Sequence, residues 1–488
     1  MPDARDNATM TSETFLWHDY ETFGADPRRD RPCQFAALRT DAELNVVGEP
    51  VVWYCKPTDD MLPSPDACLI TGITPQTADR LGVPEPEFAN RIFEVMSEPG
   101  TCAVGYNNFR FDDEVSRFMF WRNFIDPYAR EFRNGNSRFD LIDLLRMTAA
   151  LRPEGIHWPE REDGSPSFRL EDLARANGFS TENAHDALAD VENTLGMARR
   201  VRQHQPRLWN WGLGLRARHA VEQLVEKREV LLHASSRFPA SQACIAPVLP
   251  LFRHPAIKSQ WLVWNLREDP APFTEFDAEM LADLYWTPNA DLPEGLKRLP
   301  VKWIRTNRSP MLSPTGVLDA AAAERTQIDL DQADAHALKL ADDSAFVAAL
   351  LEIFTSPRAA ESFDADTALY DGFVPDSDRR VAERIRNQPP EQAAALLSAS
   401  PGPFSDERMA ELLLHYAGRH ATSSLEGPQR EAWRAYRRRR LIDDPELASV
   451  QLPGYLARIE QLRAERPDCA GLLDELAAWP AHIGIDGL

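Results

Sequence analysis

The chain has 488 residues, 43% of them hydrophobic and 27% charged, an ordinary globular composition whose length exceeds the roughly 100–200 residues of one domain and implies about three. No apolar run approaches the roughly 20 residues that a bilayer demands, and "MPDARDNATMTSET" at the amino terminus lacks the basic start and apolar stretch of a signal peptide, so the reading is a cytoplasmic protein with no membrane contact. The net charge of −22 argues on its face against a polyanionic partner, because Lys and Arg supply affinity for phosphates; charge has to be read locally.

In chain order, "FLWHDY", "QFAALRT" and "EPVVWYC" are β-rich runs between polar turns and read as an antiparallel meander, with the first strand over 14–20. The period then changes. "FANRIFEVMS" has helical spacing, "TCAVGYN" reads as a buried strand and "FDDEVSRFMFWRNF" as another helix. Strands followed by alternating helices and strands imply a mixed sheet with helices packed on it. Prolines and glycines make 152–168 a loop. Two helices follow it, "RLEDLARANG" closed by Gly178 and "DALADVENTLGMARRVRQHQ" ending before Pro206. From about 206 to 358 short pieces such as "REVLLHAS", "SQWLVWNL" and "PVKWIRT", cut by prolines, predict a small β-rich domain with helical insertions. From about 362 onward Ala, Leu, Glu and Arg at helical spacing predict an all-helical domain. The six cysteines form no CxxC pair and have no histidine at zinc-ligand spacing, so they read as reduced, mostly buried fillers.

Three constellations carry chemistry. In "FLWHDYETFGAD", Asp19 and Glu21 lie two apart on a strand, so both point from the same face and repel each other unless a positive group sits between them. Exposed acids at strand ends are common, but carboxylate oxygens are also what Mg²⁺ accepts, and two such ions about 4 Å apart clamp a phosphodiester. In "GYNNFRFDDEV", Asp112 opens a helix after a buried strand; a helix dipole that favours acids explains Asp113 and Glu114 equally well. In "NAHDALADVENT", His185 stands five residues before Asp190. Five residues are about 140° apart on a helix, so the two share a site only if His185 sits at or before the helix start. Otherwise it is a surface or capping residue. Beside acids it is a natural proton acceptor, with an ordinary pKa of about 6.5. His18, next to the first pair, reads as a strand residue facing away from Asp19.

Together the pieces D-x-E, an Asp after N-x-x-x-F, and H-x-A-x-x-D resemble the DEDDh 3′-to-5′ exonucleases of the ribonuclease-H-like superfamily. "HDYETFG", "DRPCQFAALRTD", "LITGIT", "GYNNFRFDDEV", "LRPEGI", "PSFRLEDLARANG" and "NAHDALADV" are similar to the bacterial exonuclease I family, and "QPRL", "LYDGF" and "EAWRAYRRRR" extend the likeness toward the carboxyl terminus. The resemblance implies an α/β ribonuclease-H-like exonuclease domain (mixed sheet flanked by helices) over 14–204. A Src-homology-3-like barrel over 206–358 and an all-helical domain over 362–488 would follow it. It also implies degradation of single-stranded DNA from the 3′ end to 5′-mononucleotides, in DNA repair and recombination, by a monomer using two Mg²⁺ ions, with Mn²⁺ as a substitute. Asp19, Glu21 and Asp190 would hold metal, Asp112 would support the second ion, and His185 would be the general base that takes a proton from the attacking water. Glu21, Thr22, Arg117, Tyr128, Arg146 and Arg169 would contact substrate, Arg169 with a helix amino terminus to help it. As a surface residue, Arg169 would instead pair with Glu171 or Asp172.

Base stacking would fall to Phe109, Trp121, Phe132 or Trp158, each equally readable as core. The run Arg437–Arg440 reads as a solvated helix face, or as a DNA path or partner surface. The family also binds the acidic carboxyl-terminal tail of single-stranded DNA-binding protein, and encloses its substrate in a channel whose positive lining would make the overall −22 tolerable. An exoribonuclease, or an inactive nucleic-acid-binding scaffold, are the rival readings; the presence of every motif residue opposes the second.

Overall fold

The computed structural model of the chain describes residues 13–180, 186–355 and 364–487. Strands β1 (Thr14–Thr22), β2 (Pro32–Thr40) and β3 (Val51–Tyr54) form the expected antiparallel meander. β1 runs two residues beyond the predicted strand, which carries Glu21 into the sheet. Helices α1 (Pro65–Thr71) and α2 (Pro75–Leu81) each start with a proline at the first turn. The hydroxyls of Ser64 and Thr74 cap them by accepting from the backbone N–H groups of Ala67 and Thr77. Then come α3 (Glu85–Ser97), β4 (Thr101–Gly105), α4 (Asp112–Arg122), β5 (Ser137–Asp140), α5 (Leu141–Leu151), α6 (Leu170–Ala176) and α7 (Ala187–His204). No helix falls within 152–168, and Gly178 follows α6 with a φ of 78°, a left-handed conformation that suits glycine after a helix.

The chain divides into two compact units. One gathers Met1–Ser137, Glu182–Glu192 and Ala360–Leu488; the other is Arg138–Thr181 with Asn193–Ala359. In the first unit the strand order is β3-β2-β1-β4, with β1 antiparallel to β2 and parallel to β4. In the second unit, β6 (Leu231–Ala234), β7 (Ile245–Arg253), β8 (Gln260–Asn265), β9 (Val301–Arg305) and β10 (Leu312–Pro314) build an antiparallel sheet ordered β10-β6-β7-β8-β9. Its core centres on Trp264, with Phe273, Leu281 and Phe346 packed around it. The described residues after 363 contain helices and no strand. All six cysteines are free, five of them buried. No described helix is long and apolar enough to cross a membrane.

Within the first unit, the carboxyl-terminal helices pack against the amino-terminal elements in two places. Leu441, Tyr455, Leu473 and Trp479 share a core with Phe23, Cys33 and Met61. Leu369, Ile385, Leu412 and Tyr416 share another with Phe118, Trp121 and Phe124. A buried ionic cluster lies among these segments. Asp60, fully buried, accepts from Arg419 at 2.8 Å and from Arg31 at 3.4 Å. Asp366 accepts from Arg31 at 2.7 Å and also from Arg419, while Asp364 accepts from Tyr436 Oη and Arg440. Burial acts to raise the Asp60 carboxyl, but Arg419, Arg31 and Arg440 together hold it well below the usual range.

This cluster also corrects the reading of 437–440 as a solvated face or binding surface at two of its four positions, Arg437 and Arg440, whereas Arg438 and Arg439 are exposed, as a solvated face requires. Arg440 is 2% exposed and donates to the carbonyls of Asp60, Leu447 and Arg29. Arg437 donates to the carbonyls of Asp59 and Ile483, and Arg438 and Arg439 pair with Asp443 and Asp444. All four guanidinium groups are engaged inside the unit. Removing one partner of a buried ion pair costs about 3–5 kcal/mol. Asp60→Ala is therefore expected to lower the thermal midpoint clearly in calorimetry, while Lys297→Ala, which breaks an exposed pair with Glu268, stays within about 0.5 kcal/mol of wild type.

Candidate active site

The alternation of β1 sorts its side chains. His18 and Tyr20 turn inward: His18 is 2% exposed, stacks on Phe35 with ring centroids 6.0 Å apart, and is pushed down to about 3 by burial, with Arg130 adding to the effect. It is a neutral core residue, facing away from Asp19 as expected. Asp19 and Glu21 take the other face at the carboxyl end of the strand, opposite Ala36 and Gln34 of β2. On the other side, β4 accompanies β1 only from Thr14 to Trp17. Beyond that point the backbone N–H of Tyr20 donates to Asp112 Oδ1 at 3.1 Å. Asp112, 3% exposed, thus fastens the first turn of α4 against the open edge of β1. Its neighbour Asp113 is fully buried in a 2.6 Å ion pair with Arg130.

Asp190 arrives on the first turn of α7. Asp186 caps that helix, accepting from the N–H of Leu188 at 3.0 Å. Gln34 donates to Tyr54 Oη at 2.8 Å and accepts from the N–H of Ala187 at 3.4 Å, tying the helix start to β2 directly across from Glu21. Asp19, Glu21 and Asp190 then offer carboxylate oxygens that all lie within 4.8 Å of one another. The electrostatic strain is large. Asp19 is pushed well above the usual carboxyl range by burial and by Asp112, Glu21 and Asp190, and Glu21 is pushed up to about 8 by burial, Asp190, Asp112 and Asp186. Crowded hard oxygen donors that raise one another's pKa suit a divalent cation. A second trio, Asp364, Asp366 and His415, is also close enough to hold an ion, but Arg31, Arg419 and Arg440 already supply its positive charge.

His185 lies outside the described residues. Thr22 is 7% exposed and its hydroxyl donates to the Gly24 carbonyl at 2.6 Å. Arg117 is 5% exposed, with its guanidinium held by Glu131 and Glu114, each at 2.8 Å, and lying 5.2 Å from the Tyr128 ring centroid. A phosphate would meet an already occupied fork. Trp121 and Phe109 are buried, and the Trp121 indole donates to the Ala365 carbonyl at 2.8 Å. They are core residues, as is fitting for rings on or near α4. Trp158 donates to the Pro153 carbonyl at 3.0 Å, and Phe132 is 64% exposed.

In the second unit, Arg146, Arg161, Arg169 and Arg237 line a cavity of about 490 Å³ together with Phe168 and Phe238. Arg169 precedes α6 and is exposed. It does not form the surface pairs considered for it: Arg175 pairs with Glu171 and Asp172 instead, and Asp172 accepts from Ser167. Arg146 pairs with Asp143 at 2.5 Å and lies over the Phe168 ring. Asp186 and Gln34 were not singled out from the sequence. An aspartate just before a helical run is a cap signal that points to the first; the second depends on a cross-strand register that only the fold reveals.

A ribonuclease-H-like sheet with this acid cluster is the framework of a nuclease, and the family model "Exonuclease", which matches residues 16–197, makes it an exonuclease. The Exonuclease I SH3-like domain matches 216–356 and the Exonuclease I C-terminal domain 363–483. Exodeoxyribonuclease I of Escherichia coli is 40% identical over 95% of this chain and 96% of its own length, and that of Haemophilus influenzae 39% identical over 95% and 97%. The chain belongs to the exonuclease I family. The structure of E. coli exonuclease I in complex with a dA16 oligonucleotide superposes with a TM-score of 0.89 at 40% identity, covering 97% of this chain and 100% of that one. A moderately thermophilic exonuclease I from Methylocaldum szegediense gives 0.90 at 44%, covering 96% and 99%.

With Glu21 at about 8 in the folded chain against an ordinary 4.5, and Asp19 shifted in the same direction, the folded state binds more protons than the unfolded one between those values. The corresponding stability is complete below about 4.5 and is lost as pH rises to about 8. In EDTA, the thermal midpoint should fall across this window in wild type. Glu21→Gln should lose part of that slope and melt about 2 °C or more above wild type at pH 8; a lower midpoint for Glu21→Gln at pH 8 would contradict the repulsion described.

Proposed function

We propose that this exonuclease removes 5′-mononucleotides from the 3′ end of single-stranded DNA in the cytoplasm, in repair and recombination, acting as a monomer. The carboxylate trio Asp19, Glu21 and Asp190, in a chain that matches exodeoxyribonuclease I over 95% of its length, carries the reading. The three acids would hold two Mg²⁺ ions, or Mn²⁺ in their place, with Asp112 supporting the second. Bound there, the ions supply positive charge to the phosphodiester oxygens and lower the cost of deprotonating the attacking water. Asp112 keeps the end of β1 in register, and Gln34 and Asp186 keep Asp190 facing it. His185, just before α7, accepts the proton of the water that attacks the last phosphodiester, and the 3′-oxygen of the next nucleotide leaves.

Substrate contacts are proposed for Glu21, for Thr22 through its remaining lone pairs, and for Tyr128 beside Arg117. In the second unit they are proposed for Arg146 and Arg169, whose cavity offers guanidinium groups to phosphate. An acidic tail of single-stranded DNA-binding protein is the proposed partner, received by basic residues other than Arg437 and Arg440, which are engaged inside the unit. The domains are taken as 14–204, 206–358 and 362–488.

End-labelled single-stranded DNA, duplex DNA and RNA, incubated with Mg²⁺ or with EDTA, test this reading. Wild type should release mononucleotides from the 3′ end of single-stranded DNA only with the metal, and Asp19→Ala should lose at least about a hundredfold in rate. Cleavage of RNA alone, or activity that survives Asp19→Ala, would overturn it.

A further inference from the structure

The segment "LYDGF", residues 369–373, shows family likeness but takes no part in the chemistry above. Its last residue is the most exposed large apolar side chain among the described residues: Phe373 is 95% exposed. The backbone beneath the ring is nevertheless pinned on both sides. Arg408, paired with Asp406 at 2.7 Å, donates to the carbonyls of Ala368 and Gly372 at 2.9 and 3.3 Å, and Val374 packs against the core that contains Leu412. A phenyl ring held out by a fixed backbone is presented for a contact.

Its surroundings indicate what that contact is. Tyr370 Oη donates to Glu114 and accepts from Arg117 at 3.2 Å. Glu114 sits in the first turn of α4 with Asp112, which bonds to the strand bearing Asp19 and Glu21. Arg117 also holds Glu131, the neighbour of the exposed Phe132, so one guanidinium ties together the segments that carry both exposed phenylalanines. Arg28, exposed and without an ion pair among the described residues, lies 5.9 and 6.0 Å from the Phe118 and Tyr370 ring centroids. An exposed ring three residues after a tyrosine that an exposed guanidinium faces, on segments bonded to the turn that bears Asp112, matches a base with its phosphate.

We propose that Phe373 stacks on an unpaired base of the strand entering the site, a few nucleotides from the scissile bond, and so contributes to the preference for single strands. In a duplex both faces of each base are covered by its neighbours, and the stack with Phe373 cannot form. The inference rests on the DNA reading above and adds a residue to it.

The test is equilibrium binding in EDTA, where no cleavage occurs, of labelled single-stranded oligonucleotides that carry one abasic position walked inward from the 3′ end. Wild type should show a position at which loss of the base weakens binding about tenfold. Phe373→Ala should bind the intact strand about tenfold more weakly and be indifferent to the abasic site at that position, while Phe373→Tyr restores both properties. If Phe373→Ala binds the intact strand as wild type does, or keeps the wild-type abasic profile, the ring serves another partner, such as a protein, and the proposal falls. Failure of wild type to release mononucleotides with Mg²⁺ would instead defeat the nuclease reading, and that result is read independently of the binding profile.

Discussion

Mutual repulsion among carboxylates at the end of β1 is the constraint around which the first unit is built. Two unit charges within 4.8 Å of each other repel by at least about 3 kcal/mol at an effective dielectric constant of about 20, and burial adds to the strain. The fold answers with anchors rather than with neutralisation at the trio itself. β4 stops pairing at Trp17, which leaves the Tyr20 N–H for Asp112. A cap and a glutamine then fix α7 so that Asp190 cannot swing away. The acids are held together against their own electrostatics, and a cation becomes the group that relieves them.

The buried cluster around Asp60 and Asp366 follows the opposite rule. There Asp60 and Asp366 each meet at least two guanidinium groups, which hold their protons off, and the arginines supply the charge an ion would bring. The same residue type therefore serves two ends within one unit. What separates them is whether arginine has been placed beside the acid.

Much of the site was legible in the sequence because it depends on short periods. The two-residue repeat of a strand puts Asp19 and Glu21 on one face and turns His18 inward, and the helical runs that begin near Asp112 and Ala187 are visible as apolar spacing. What escaped depends on distant partners. Arg437 and Arg440 look like part of a basic face because nothing nearby in sequence reveals that the carbonyls of Asp59, Asp60 and Arg29 receive them. Trp121 looked available for stacking, yet it is the floor on which Ala365 and its neighbours pack. Phe373 drew no attention because exposure of a single ring leaves no periodic trace.

The first unit is assembled from three stretches of the chain, with Arg138–Thr181 and Asn193–Ala359 between them. Arg31 and Asp60 are made long before their partners Asp366, Arg419 and Arg440. During synthesis the ribosome therefore releases the sheet that carries Asp19 long before the helices that complete its core, and closing so long a loop is slow. The core around Asp60 therefore stays incomplete until Asp366, Arg419 and Arg440 have been made and have returned to it across that loop.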